Sequence, residues 1–145
     1  SKFINWIVFG SNNKKFAPAR TEADWLSKHT QAVDKYLADP LCGFPFTING
    51  FETLFELING LSKKEMLEKI PKELPIFMLS GEEDPVGKNG KGVRKAYKSL
   101  EAAGLKNVQL KLYEKGRHEL LNDLEKEIVT EDIYHWIKNT ILTQV

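Results

Sequence analysis

The chain has 145 residues, 41% hydrophobic and 28% charged, with 21 basic against 20 acidic side chains. That is the composition of an ordinary globular domain, and the scattered, nearly balanced charges give no field that argues for nucleic acid. The single cysteine, Cys42, excludes an internal disulfide framework and fits a reducing, cytoplasmic setting, while the longest apolar stretches, "WIVF" and "PIFML", are too short for an integral membrane segment.

The opening "SKFINWIVFG" has neither the pattern of a signal peptide nor an initiator methionine, so it is expected to continue something that precedes it. "INWIVFG" reads as the end of a helix stopped at Gly10, and the turn-rich "SNNKKFAPART" follows. Ser27 is a candidate N-cap for "KHTQAVDKYLAD", which Asp39 and Pro40 end, because the residue before proline disfavours helical backbone. "DPLCGFPFT" is a loop. Phe51, Leu54, Phe55 and Ile58 then recur at helical spacing, with Gly60 placed as a C-terminal cap and Ser62 as the cap of another short helix.

The pattern changes after Pro71. Ile76 to Leu79 form a continuous apolar run bounded by proline and glycine, which suits a parallel strand covered on both faces. Val93, Ala96, Tyr97 and Leu100 make a helical stripe closed by Gly104, and Val108, Leu110 and Leu112 share one face of a second strand. Strand, helix, strand is a βαβ unit, expected to cross over right-handed. A last helix carries Val129, Ile133, Trp136 and Ile137 on one stripe. The order implies helices and loops to about residue 72, then alternating β and α. Two parallel strands need neighbours to complete a core, so the sheet is expected to be incomplete in this chain.

In a parallel βαβ unit the loops after both strands emerge side by side at the carboxyl edge of the sheet, where open α/β sheets place their chemistry. Asp84 and His118 lie on those loops. A carboxylate beside an imidazole fixes its tautomer, orients it and stabilises the imidazolium, which is what a general base for a hydroxyl nucleophile requires. No G-x-S-x-G elbow for such a nucleophile occurs: Ser80 has Met78, and Ser11 has Phe9, where the first glycine belongs.

The run "PIFMLSGEEDPVGKNGKGVRKAYKSLEAAGLKNVQLKLYEKGRHELLND" resembles the acid-to-histidine region of the lysophospholipase and monoacylglycerol-lipase-like branch of the α/β-hydrolase superfamily. "DWLS…VDKYLADPLCGFPFT" resembles the cap of the same branch. The resemblance implies an α/β-hydrolase fold, C-terminal part, with residues 1–70 as a helical cap and 71–145 as core. "G-x-x-D-P-V-G" would place the triad acid on Asp84 and "Y-x-x-x-R-H-E" the histidine on His118. It further implies ester hydrolysis without metal or organic cofactor, on a small ester with an acyl chain. The nucleophile and oxyanion loop would be supplied by an N-terminal half before Ser1. The density of large apolar residues in the cap half, Phe44 and Phe46 among them, is expected to line an acyl groove above His118, with Val86 also contacting substrate.

Other residues keep other readings open. Glu82 or Glu83 could replace Asp84 as the acid, although a solvated turn suits them better. Cys42, with no metal-ligand partner at useful spacing, reads as a buried structural thiol, and His29 and His135 as isolated side chains without a role. Gly87, Gly90 and Gly92 do not have dinucleotide-binding spacing and read as a flexible loop. A non-catalytic binding domain and another acyl-transfer enzyme, an acyltransferase or peptidase, remain alternatives on the same fold.

Overall fold

A computed structural model of the chain describes residues 1–61, 63–140 and 142. The first half is helical: α1 (Lys2–Phe9), a 3-10 turn (Lys14–Phe16), α2 (Thr30–Ala38), α3 (Ile48–Leu61) and the short α4 (Lys64–Leu67). The second half alternates: β1 (Ile76–Gly81), α5 (Lys91–Ala102), β2 (Val108–Tyr113), a 3-10 turn (Leu120–Asn122) and α6 (Lys126–Thr140).

The helix boundaries show which local signals prevailed. α2 begins three residues beyond Ser27, because the side chain capping it is that of His29, whose Nδ1 accepts the Ala32 N–H. Its other end is at Ala38, as the Asp39–Pro40 pair requires. α3 begins before the Phe51 stripe, with the Thr47 hydroxyl accepting the Gly50 N–H, and it runs through Gly60 to Leu61. Gly60 is therefore inside the helix and is not its cap. The cap expected at Ser62 lies outside the described residues.

Two aromatic and aliphatic clusters hold the helical half. Ala23, Leu26 and Val33 are buried with Trp25 and Tyr36 packed against them. Phe51, 1% exposed, gathers the rings of Phe9, Phe46 and Phe55 at centroid distances of 6.4, 5.6 and 6.0 Å. Leu54, Phe55 and Ile58 of the same stripe are only partly buried or exposed.

β1 and β2 pair in parallel from Ile76 opposite Val108 to Gly81 opposite Tyr113, with no further strand among the described residues. Only Ser80 and Gly81 of β1 are buried. Ile76 to Leu79 are half-buried, less than a strand covered on both faces would be, because β1 has a partner on one edge alone. α5 packs on both strands. α6 lies on the face that carries Phe77 and Tyr113: Trp136 stacks on Phe77 at 5.5 Å, and the Tyr113 hydroxyl donates to Asp132 at 2.8 Å. Among the described residues no helix is long and apolar enough to cross a membrane.

Candidate active site

Because β1 and β2 end in register, the loops after Gly81 and Tyr113 leave the sheet together, and the backbone then binds one to the other. Glu82 N–H donates to the Tyr113 carbonyl and Glu83 N–H to that of Gly116, both at 2.9 Å. The approach is too close for a side chain: a Cβ on Gly81 would lie 2.1 Å from the Gly116 oxygen and 2.4 Å from that of Arg117.

Asp84 follows on the first loop and is 7% exposed. Its Oδ1 accepts the Val86 N–H at 2.9 Å and lies 3.1 Å from Nδ1 of His118, on the second loop. An ionised carboxylate only accepts, so the proton of the neutral imidazole sits on Nδ1 and Nε2 is left as the basic nitrogen. Burial pushes the Asp84 carboxyl upward, but the His118 hydrogen bond and charge, with the Val86 and Gly87 N–H groups, outweigh it, and the group titrates below its ordinary value. For His118 the Asp84 hydrogen bond is the largest influence. Helped by the charges of Asp84 and Glu119, it overcomes burial and raises the imidazole.

The histidine loop is also tied to the helical half. Trp25 and Leu26 carbonyls accept the N–H groups of His118 and Glu119 at 3.4 and 2.8 Å, and the Trp25 indole lies 5.1 Å from the imidazole. Arg117 Nη1 donates to the carbonyls of Asp24 and Ser27 at 2.5 and 3.1 Å, with its guanidinium 4.1 Å from the centre of the Phe16 ring.

The geometry separates the candidates. Glu83 pairs with Lys15 at 3.1 Å and Glu82 faces Arg94 at 3.9 Å, so the carboxylate on His118 is that of Asp84. Phe44 and Phe46 touch each other at 6.4 Å and line a cavity of about 780 Å³ with Trp6, Trp25, Tyr36 and Cys42. Val86 is not in that cavity. It sits on the acid loop, 53% exposed. Trp25 connects the cavity to His118. Cys42 is only half-buried, and a wall of the cavity rather than a core thiol. His29 has a local task, the cap of α2, while His135 lies against the neighbouring Tyr134 ring on α6. Gly87 is closely packed, since a Cβ there would be 3.0 Å from Val93 and 3.3 Å from the Ser80 hydroxyl, and Gly90 caps α5 with φ +79, a backbone conformation that favours glycine. Among the described residues no three His, Cys, Asp or Glu side chains gather as metal ligands.

Four residues have roles that the sequence does not announce. Trp25 and Asp123 act through contacts 93 or more positions apart in the chain, which no local pattern records. Gly81 and Gly116 were legible only as turn residues, although they are where two backbones touch.

Residues 1–125 match the family described as serine aminopeptidase, S33. A thermostable carboxyl esterase from Bacillus coagulans, solved with glycerol, superposes with a TM-score of 0.87 at 27% identity over 96% of this chain and 46% of that one. A lipase in its open form superposes with a TM-score of 0.78 at 24% identity, over 89% of this chain and 42% of that one, and shows the fold alone. The chain thus spans less than half the length of either structure. No curated protein matches it. Its helices and parallel strand pair correspond to a C-terminal part of the α/β-hydrolase fold, and the chain belongs to the serine aminopeptidase S33 family of that superfamily.

Proposed function

We propose that this chain supplies the acid and the base of a serine hydrolase acting on carboxylic esters. The observation that carries the reading is the 3.1 Å contact between Asp84 Oδ1 and His118 Nδ1 at the carboxyl edge of a parallel strand pair. It leaves a basic Nε2 on a side chain 37% exposed. The serine and the two oxyanion-binding N–H groups come from a part of the protein outside this chain. In the reaction Nε2 accepts the serine proton as the hydroxyl attacks the acyl carbonyl, then returns it to the departing alcohol. Water repeats the cycle on the acyl-enzyme, and the same nitrogen takes and returns its proton. Asp84 stays ionised and holds the ring.

Residues 1–70 act as the cap in this reading and 71–145 as core. The aromatic cavity beneath Phe44 and Phe46 takes the acyl chain, its Trp25 wall leading to His118, while Val86 meets the substrate at the acid loop. An ester with one long chain and a polar alcohol, as in a monoacylglycerol or lysophospholipid, suits a largely apolar cavity whose Trp25 wall lies 5.1 Å from a half-exposed imidazole. The solved esterase, 27% identical, supports ester over amide chemistry. The description of the family as serine aminopeptidases favours a second reading, peptide hydrolysis with the same acid and base.

The test is turnover of nitrophenyl esters from acetate to decanoate, below their aggregation limits, beside aminoacyl nitroanilides, by the nucleophile-bearing protein. Each buried methylene contributes about 0.8 kcal/mol, so the specificity constant rises by at most about fourfold per carbon. Phe44→Ala and Phe46→Ala flatten that rise. A flat profile in the wild type removes the acyl cavity from the reading, and faster nitroanilide cleavage replaces the esterase by the peptidase.

A further inference from the structure

We propose that Asp123 is a positioning residue for His118: its buried carboxylate fixes the loop that carries the imidazole to residues 24–28 of the helical half. The kinetic part of this inference rests on the hydrolase reading, whereas its geometric part does not.

Asp123 is 1% exposed and, among the described residues, the only carboxylate in the set of most deeply buried side chains. Its donors come from three segments. Oδ1 accepts the N–H groups of Lys28 and Leu124, both at 2.9 Å, and faces the Ser27 hydroxyl at 3.2 Å. Oδ2 accepts the Arg117 N–H at 3.1 Å. A buried charge persists only where its lone pairs are filled, and here hydrogen-bond donors fill them. The position therefore demands a group that accepts on both sides, which carboxylate is and carboxamide is not.

What makes the arrangement more than a structural knot is where its fourth bond falls. Arg117 immediately precedes His118, so Oδ2 holds the Gly116–Arg117 peptide, one residue before the one that carries the imidazole. The following N–H groups, of His118 and Glu119, are held by Trp25 and Leu26, and the Arg117 side chain returns to Asp24 and Ser27. The loop is thereby clamped on consecutive residues to one short stretch of the helical half. The contact with Asp84 fixes the ring at its Nδ1 end alone, and Asp123 fixes the backbone that leads into His118.

Asp123→Asn isolates this bond. Its amide oxygen is drawn to the side where Lys28, Leu124 and Ser27 donate, leaving its NH₂ against the Arg117 N–H, a donor facing a donor. In the nucleophile-bearing protein we expect kcat on a nitrophenyl ester to fall roughly ten- to a hundredfold with KM within about twofold, the size of loss that a small misplacement of a catalytic group causes. The low-field NMR resonance of the His118 Nδ1 proton, the signature of its bond to Asp84, should broaden or vanish. Ser27→Ala, a milder change, should move both readouts the same way by less, and it decides the matter if the first variant does not fold. A lower melting temperature with wild-type kcat and an intact Nδ1 resonance overturns the proposal. A wild-type protein without ester turnover defeats the hydrolase reading instead, and the resonance still decides for or against Asp123.

Discussion

The Trp25 indole and the His118 imidazole lie 5.1 Å apart, their planes inclined at 41°, and the Trp25 carbonyl accepts the His118 N–H at 3.4 Å. One residue of the helical half thus meets the histidine through both side chain and backbone. Substitution keeps the carbonyl and removes the ring, so it reads the ring contact alone. Trp25→Ala should destabilise the protein by about 3 kcal/mol, the lower end for a large aromatic truncated to alanine, because Trp25 is only partly buried. Turnover should fall more than ligand affinity, since the imidazole loses the wall that restricts its tilt. Trp25→Phe should recover most of the stability and part of the turnover. Paired urea melts and steady-state kinetics on the three proteins check this. Equal kcat in all three would show the ring to be packing only.

The pH dependence follows from the same imidazole. General-base work needs His118 neutral, and its hydrogen bond to Asp84 and the charges of Asp84 and Glu119 raise it above the ordinary 6.5. The acid limb of kcat/KM should therefore have its midpoint above 6.5. Asp84→Asn removes the largest of those influences, so the limb should move to lower pH while turnover at the plateau falls by roughly 10⁴-fold, because the wrong tautomer becomes available. Stability runs the other way. A raised histidine stabilises the fold fully below 6.5 and loses that contribution as pH rises through its folded value. A lowered Asp84 contributes above 3.8 and loses it as pH falls through its own. Both describe one contact, strongest between 3.8 and 6.5. Stability should thus decline across the range in which activity rises. Kinetic pH profiles and melts in the same buffers test it, and coincident maxima would contradict it.

The residues whose signal is local were legible. The run Ile76 to Leu79, the alternation from Val108 to Leu112 and the stripe from Val93 to Leu100 each encode one element, and all three elements are present. Placing Asp84 and His118 on neighbouring loops needed only the parallel direction of two strands. The illegible part is made of side chains that choose between partners. Ser27 has the chemistry of an N-cap, yet its hydroxyl faces Asp123 and the Asn122 carbonyl, and His29 caps α2 instead. That exchange depends on a buried carboxylate 96 positions away. Gly87 carries the same ambiguity, since glycine signals freedom in a sequence and here records tight packing beside Asp84.

Two glycines make that distinction measurable. A Cβ on Gly81 would sit 2.1 Å from the Gly116 oxygen and 2.2 Å from its carbonyl carbon, both backbone atoms that cannot rotate away. The only relief is to separate the acid loop from the histidine loop, breaking the bonds from Glu82 and Glu83 N–H that hold them together. Gly81→Ala should cost at least the roughly 1–3 kcal/mol typical of overpacking, and it should stretch the Asp84 to His118 contact, so hydrolysis falls as well. Gly60, inside α3, has nothing within 4 Å of its would-be Cβ. There alanine only narrows the unfolded ensemble, and Gly60→Ala should stabilise the protein by about 0.5–1 kcal/mol with unchanged kinetics. Denaturant melts with nitrophenyl ester assays on both variants give the contrast. A Gly81→Ala protein as stable and active as wild type would mean that the two loops are not held where the geometry puts them.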